Sequence, residues 1–198
     1  MTNSLKSWIF ALGILSIFVL FNACTDESTP RPKGYLRIAL PEKQYRVYDS
    51  ICPFTFDLPV YAKVLPSESQ LAEPCWSNIV FPGLKATLHL SYKEVKQNLP
   101  QLLDDTRKLT NKHIPKASAI RKKLIQADDK NVYGMFIEVD GVGVASPIQF
   151  YLTDSTHHFI RGALYFNASP NADSLAPVIQ FVKQDLDRLV SSFSWKSK

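Results

Sequence analysis

Residues 118–169 read SAIRKKLIQADDKNVYGMFIEVDGVGVASPIQFYLTDSTHHFIRGALYFNAS, and this stretch decides the fold class. Four runs rich in β-branched and aromatic residues, 118–126, 132–140, 147–154 and 157–169, are separated by turn chemistry: Asp128-Asp129-Lys130-Asn131, Asp140-Gly141 and Ser155-Thr156. A parallel return between strands needs a crossover of about a dozen residues or more, and none of these connections is that long. The four runs are therefore predicted to form a largely antiparallel meander.

Toward the C-terminus, Val178, Phe181, Val182, Leu186, Leu189, Val190 and Phe193 recur at helix spacing, while Lys183, Asp185, Asp187 and Arg188 fall mainly off that stripe. Asp173 or Ser174 suits the cap of this helix, and Pro177 is acceptable in its first turn. Toward the N-terminus a second helix is predicted from Val95 or Asn98 to His113, with a stripe of Leu99, Leu102, Leu103, Thr106 and Leu109, ended by Pro115. Before it, SNIVFPG (77–83) and KATLHLSY (85–92) make an antiparallel pair about Pro82-Gly83, with Ala86, Leu88 and Leu90 on one face. YLRIAL (35–40), QYRVYD (44–49) and PFTFDLP (53–59) read as short extended pieces bounded by prolines. The expected fold is α+β, a mostly antiparallel sheet covered by two main helices. Its order of elements resembles the PsbP/Mog1-like sandwich.

The chain opens differently. Lys6 is followed by an apolar stretch of 14 residues, Trp8 to Phe21, broken only by Gly13 and Ser16. A membrane span wants about 20 residues, so the stretch reads as the apolar region of a secretory signal over residues 1–23. Ala23 is the small residue before a cleavage site and Cys24 follows it, as in a bacterial lipobox whose cysteine is acylated. Phe21 and Asn22 stand where a Leu and a Ser or Ala are more usual, and a plain signal peptide and an uncleaved anchor are the alternatives. With palmitate-type chains at about 0.8 kcal/mol per buried methylene, Cys24 would hold the chain at a bilayer. Residues 24–33 continue polar, with two prolines and no apolar pattern, and read as a flexible tether. Residues 34–198 then form a single globular domain, without glycine-rich linker or internal repeat.

With Cys24 acylated, Cys52 and Cys75 are the thiols left to pair in an oxidising compartment. A bridge would close a loop of about 24 residues, worth on the order of 3 kcal/mol. Two free buried thiols are the alternative. The net charge of +5 falls to +4 once Lys6 is removed and is interspersed, which does not indicate nucleic-acid binding. The basic cluster Lys108, Lys112, Lys116, Arg121, Lys122 and Lys123 could face anionic lipid or an acidic partner, but a solvated helix end and loop is the better account of it.

Catalytic chemistry finds no foothold. His89, His113, His157 and His158 would need carboxylates from distant segments to hold zinc, and the adjacent His157 and His158 point to opposite faces in a strand. DSTHH (154–158) is too local for a catalytic triad and no G-x-S-x-G elbow exists. DGVGVAS (140–146) has one G-x-G without the rest of a phosphate loop. Asp104-Asp105 and Asp128-Asp129 read as solvated pairs. No catalytic residue, metal or cofactor is expected.

The segments RPKGYLRIALPEKQYRVYD, CPFTFDLPVYA, PCWSNIVFPGLKATLHLSYK and LYFNASPNADSLAPVIQFVKQDLDRLVSSFSW resemble the gliding-motility lipoprotein GldD family of the Bacteroidetes, over nearly everything from Pro32 to Trp195. The resemblance implies an outer-membrane lipoprotein without known enzymatic activity. It implies action with other gliding lipoproteins and envelope proteins in the machinery that couples surface gliding to type IX protein secretion. The side of the outer membrane stays open, periplasm or cell surface. Asp26 and Glu27 resemble surface-export signals, and an ordinary tether explains them as well. Asp49-Ser50-Ile51, Asp154-Ser155-Thr156 and Asp173-Ser174-Leu175 resemble O-glycosylation acceptors of that phylum, against about one such triplet by chance. Two functions stand: an anchored scaffold or assembly factor, and an anchored glycan- or lipid-binding domain using Tyr35, Tyr45, Tyr48, Trp76 and Tyr92.

Overall fold

The structure, a computed structural model, describes residues 39–167 and 172–196, with side chains given from Leu175 in the last helix. The expectations for the signal segment, Cys24, the tether, Tyr35 and the capping side chains Asp173 and Ser174 lie outside the described residues.

Among the described residues, ten strands fall into two sheets. The larger is built around the meander: β6 (Ala119–Ala127), β7 (Val132–Asp140), β8 (Ile148–Thr153) and β9 (His158–Phe166) pair antiparallel in sequence order. β9 then pairs with β5 (Ala86–Glu94), β5 with β4 (Ser77–Phe81) and β4 with β3 (Lys63–Pro66), so the sheet runs β3-β4-β5-β9-β8-β7-β6. The turn between β4 and β5 is a single 3-10 turn, Pro82–Leu84, closed by Lys85 in the left-handed region. A second sheet joins β1 (Tyr45–Asp49), β2 (Phe54–Pro59) and β10 (Ser194–Trp195). β1 and β2 fall on the extended pieces expected over 44–49 and 53–59, whereas their pairing with β10 into a separate sheet, and β3, were not expected. The strand expected over 35–40 is not formed at Ala39 and Leu40, its described part.

Strand periodicity separates the faces of the large sheet. Leu88, Leu90, Ile148, Phe150, Leu152, Ile160 and Leu164 point to one side and are nearly fully buried. There they meet helix α2 (Ala172–Ser192) through Val178, Val182, Leu186 and Leu189, and the small sheet through Phe54, Phe56 and Leu58, in one core. Phe193, just after α2, packs against both Phe54 and Phe56, with centroids 5.9 and 6.4 Å away. Gly162 lies opposite Phe150 in the β8–β9 register, and a Cβ there would sit 2.4 Å from the Phe150 ring. The glycine makes room for the aromatic.

Helix α1 (Leu99–Asn111) covers the other face. Its buried residues are Thr106 and Thr110, whereas Leu109 of the expected stripe is exposed. Thr110 is four residues after Thr106 and so shares its face. Thr110 Oγ1 donates to Gln149 Oε1 at 3.1 Å, and Arg161 Nη2 donates to the same oxygen at 2.7 Å. This polar contact replaces the apolar one that a leucine would make. Pro177 lies inside α2 and not in its first turn, because five residues before it are already helical.

Candidate partner-binding surface

Cys52 and Cys75 form a disulfide, with Cα atoms 5.7 Å apart. Cys52 precedes β2 and Cys75 precedes β4, so the bond ties the small sheet to the large one. Cys75 adopts a left-handed backbone (φ 65°), and beside it Trp76 Nε1 donates to the carbonyl of Tyr92 at 2.8 Å. The loop after β3 is thereby fixed to the sheet.

Asp185 departs from its expected place. It is 1% exposed, because it lies seven residues after Val178 and four before Leu189, at the centre of the buried stripe of α2. Three donors from the first strand region converge on it: Lys43 Nζ at 2.6 Å and Tyr45 Oη at 2.9 Å to Oδ1, and Tyr61 Oη at 2.5 Å to Oδ2. Lys43 also donates to the Phe181 carbonyl at 2.7 Å and sits 3.4 Å over the Phe181 ring. Burial pulls the Lys43 ammonium below its ordinary value, partly offset by Asp185. Burial and the hydrogen bond to Asp185 push the Tyr45 phenol up to about 12 and raise that of Tyr61 as well. The cluster fastens the chain to α2 shortly after the predicted tether. A catalytic role would need solvent or substrate access, which Asp185 lacks.

A wide opening follows β6. Its inner-face residues Ile125 and Ala127, with Val132 and Phe136 of β7, form the floor of a groove of about 650 Å³ whose far wall is Val190, Ser191 and Phe193. Lys123, Lys130, Asp187 and Arg188 rim it. On the opposite face, Leu124 and Tyr133 line a second groove of about 220 Å³ with Leu99 and Leu103 of α1. β6 ends the sheet, and Leu124 is 69% exposed. The basic cluster is divided: Lys108 pairs with Asp104 at 2.7 Å and Arg121 pairs with Asp140 and Glu138. Lys122 and Lys123, among the described residues, have no carboxylate partner. Three consecutive cations in RKK reveal a strand with neither face fully covered, and that signal could have located this edge.

The other expected sites disperse. Tyr48 stacks on Phe56 at 4.9 Å, Tyr92 is buried with its hydroxyl 2.8 Å from His158 Nδ1, and Tyr45 is spent on Asp185. These aromatics serve packing and do not make one ligand surface. In the DSTHH turn, Asp154 Oδ1 accepts from the backbone N–H of Thr156, His157 and His158 at 2.7–3.0 Å. Burial pushes the Asp154 carboxyl up, but these three bonds outweigh it and hold it below the usual range. Among the described residues, no group of three His, Cys, Asp or Glu side chains is placed to hold a metal ion. The triplet at Asp49 begins at the last residue of β1 with Ser50 half-buried, and that at Asp154 lies in a turn with Ser155 exposed. An apolar cleft of about 250 Å³ lies between Val139, Val144 and Ile148 of the sheet side and Leu175 and Ile179 of α2. It is smaller than most small-molecule sites, about 300 Å³ and upward.

Among the described residues, no helix is long and apolar enough to cross a membrane. No curated protein sequence matches the chain. Among solved structures, the solution structure of cyanobacterial PsbP from Synechocystis is similar, with 13% identity and a TM-score of 0.48, covering 79% of this chain and 95% of that one. The family model described as gliding motility lipoprotein GldD matches residues 25–195. That match begins at the residue after Cys24 and runs through β10, and the chain belongs to this family of membrane-anchored lipoproteins of the cell envelope.

Proposed function

We propose that the chain is a non-enzymatic assembly component of the outer membrane, held by an acylated Cys24, which binds other envelope proteins for gliding and the associated type IX protein secretion. The observation that carries this reading is the open β6 edge with a groove on each face. Such a surface fits a polypeptide, which is long and has its own backbone hydrogen bonds to make, better than it fits a small substrate. The lipid anchor keeps the domain at the bilayer, where its partners meet it at high local concentration.

Co-purification from detergent-solubilised envelopes tests the reading. The wild-type lipoprotein is expected to carry with it at least one gliding or secretion component. Recovery of the lipoprotein alone would overturn the proposal. A second reading, an anchored domain for a glycan or lipid, draws support from the apolar cleft beside Ile148 and Ile179. Under it, Ile179→Trp would block the cleft and abolish ligand uptake while leaving co-purification unchanged.

A further inference from the structure

We propose that β6 is an acceptor strand: an extended segment of a partner protein adds to its free edge, apolar on both faces where it passes Leu124, Ile125 and Ala127 and acidic where it passes Lys122 and Lys123. The proposal rests on the reading above, that the chain acts through protein partners, and specifies how one of them is held.

Among the described residues, four strands form the ends of the two sheets, and three of them are poor templates. β3 has four residues and ends at Pro66, β10 has two, and β1 has five. β6 has nine residues and no proline, so its outward N–H and C=O groups form a long row that no described strand pairs. Side chains of an added strand would alternate between the two faces. On one face they would enter the groove floored by Ile125, Ala127 and Phe136 and walled by Val190 and Phe193; on the other they would meet Leu124 and Leu103. Apolar residues are thus favoured on both faces of the incoming segment, which is unusual for an edge position and is the condition of an interior strand.

Charge selects among occupants. Lys122 and Lys123 point to opposite faces and are exposed and without carboxylate partners, so each favours an acidic neighbour across the strand pair. A second copy of this chain is disfavoured by the same residues. Full antiparallel pairing of two β6 strands would place Lys123 opposite Lys123, with Arg121 and Lys122 of each copy close by, and like charges opposed across strands are destabilising.

The test uses the full-length lipoprotein in native envelopes, with a photo-crosslinking phenylalanine analogue at Gln126, which is exposed at the β6 edge, or as control at His89, an exposed position on the central strand β5. The expected result is an adduct from Gln126 and not from His89, whose cross-linked peptide carries a short continuous apolar run beside acidic residues. Lys122→Glu/Lys123→Glu is expected to cut its yield about tenfold and Lys122→Gln/Lys123→Gln less, with unchanged unfolding midpoints. Hydrogen exchange on the purified complex is expected to protect alternate amides within 119–127, since only every second N–H faces the free edge. A complex that forms without this protection overturns strand addition while the assembly function stands. An adduct between two copies of this chain overturns the proposed occupant, and the absence of any complex removes the assembly reading as well.

Discussion

Lys43 Nζ and Asp185 Oδ1 lie 2.6 Å apart across 142 residues of sequence, with the carboxylate fully buried and the lysine side chain half-buried. Tyr45 and Tyr61 complete the carboxylate's shell, which places the beginning of the described chain on the middle of α2. A buried pair of this kind is costly to break and cheap to replace, because the desolvation of either charge is offset only by its partner.

Asp185→Ala is therefore expected to destabilise the domain by about 3–5 kcal/mol, read from urea unfolding, since it leaves Lys43 without its counter-charge. The double variant Lys43→Met/Asp185→Leu should recover most of that loss. Tyr61→Phe should cost about 1–2 kcal/mol, the loss of one hydrogen bond to a charged group. If Asp185→Ala and the double variant proved equally unstable, the cluster would owe its worth to shape and not to charge.

Alkaline titration reads the same cluster from another side. The Tyr45 phenol is raised from 10.0 to about 12, so the folded state holds its proton more tightly than the unfolded one. Its contribution is fully present below pH 10 and is lost as the pH climbs toward 12. Tyr45→Phe should flatten the stability profile in that window, and an unchanged slope would count against the assignment.

At acid pH the signs reverse. His113 sits below its ordinary value of 6.5 because of burial and the neighbouring Arg161, and His89 is lowered by burial. A lowered histidine binds fewer protons folded than unfolded, so its penalty is absent above 6.5 and grows as the pH falls below it. Unfolding midpoints should drop on acidification, and His113→Gln should weaken the drop. Both rings are partly solvated, so each effect should stay at roughly 0.5 kcal/mol or less.

Gly162→Ala tests the core. The added Cβ would meet the Phe150 ring at 2.4 Å, and forcing a methyl into a packed core costs about 1–3 kcal/mol. Phe150→Leu, itself destabilising, should be less so in the Gly162→Ala background, giving a coupling above about 0.5 kcal/mol in a double-mutant cycle. Additive losses would mean that the glycine matters through its backbone alone.

These residues also show what the sequence could disclose. The meander was legible because each connection was too short for a crossover and each strand carried its own alternation. β10 was not, since Ser194 and Trp195 are two residues whose pairing with Thr55 and Phe54 is set by tertiary packing. Asp185 was legible by position and hidden by type: its spacing from Val178 and Leu189 is that of the core, but a carboxylate enters a core only when donors come to meet it. Those donors belong to the other end of the chain. The grooves beside β6 depend on where two helices end against a sheet edge, which periodicity does not report.

The cysteines give the last test, because Cys24 is assigned an anchoring role and Cys52–Cys75 a stabilising one. Cys24→Ser should move the protein from the membrane pellet to the soluble fraction and remove the lipid mass, with the unfolding midpoint unchanged. Cys52→Ser/Cys75→Ser should stay membrane-bound and lose on the order of 3 kcal/mol, through the greater freedom of its unfolded chain. Reductant should reproduce the second effect in the wild type and leave the double variant unaltered. A Cys24→Ser protein that stayed in the membrane without lipid would overturn the acyl anchor in favour of an uncleaved apolar segment, Trp8 to Phe21.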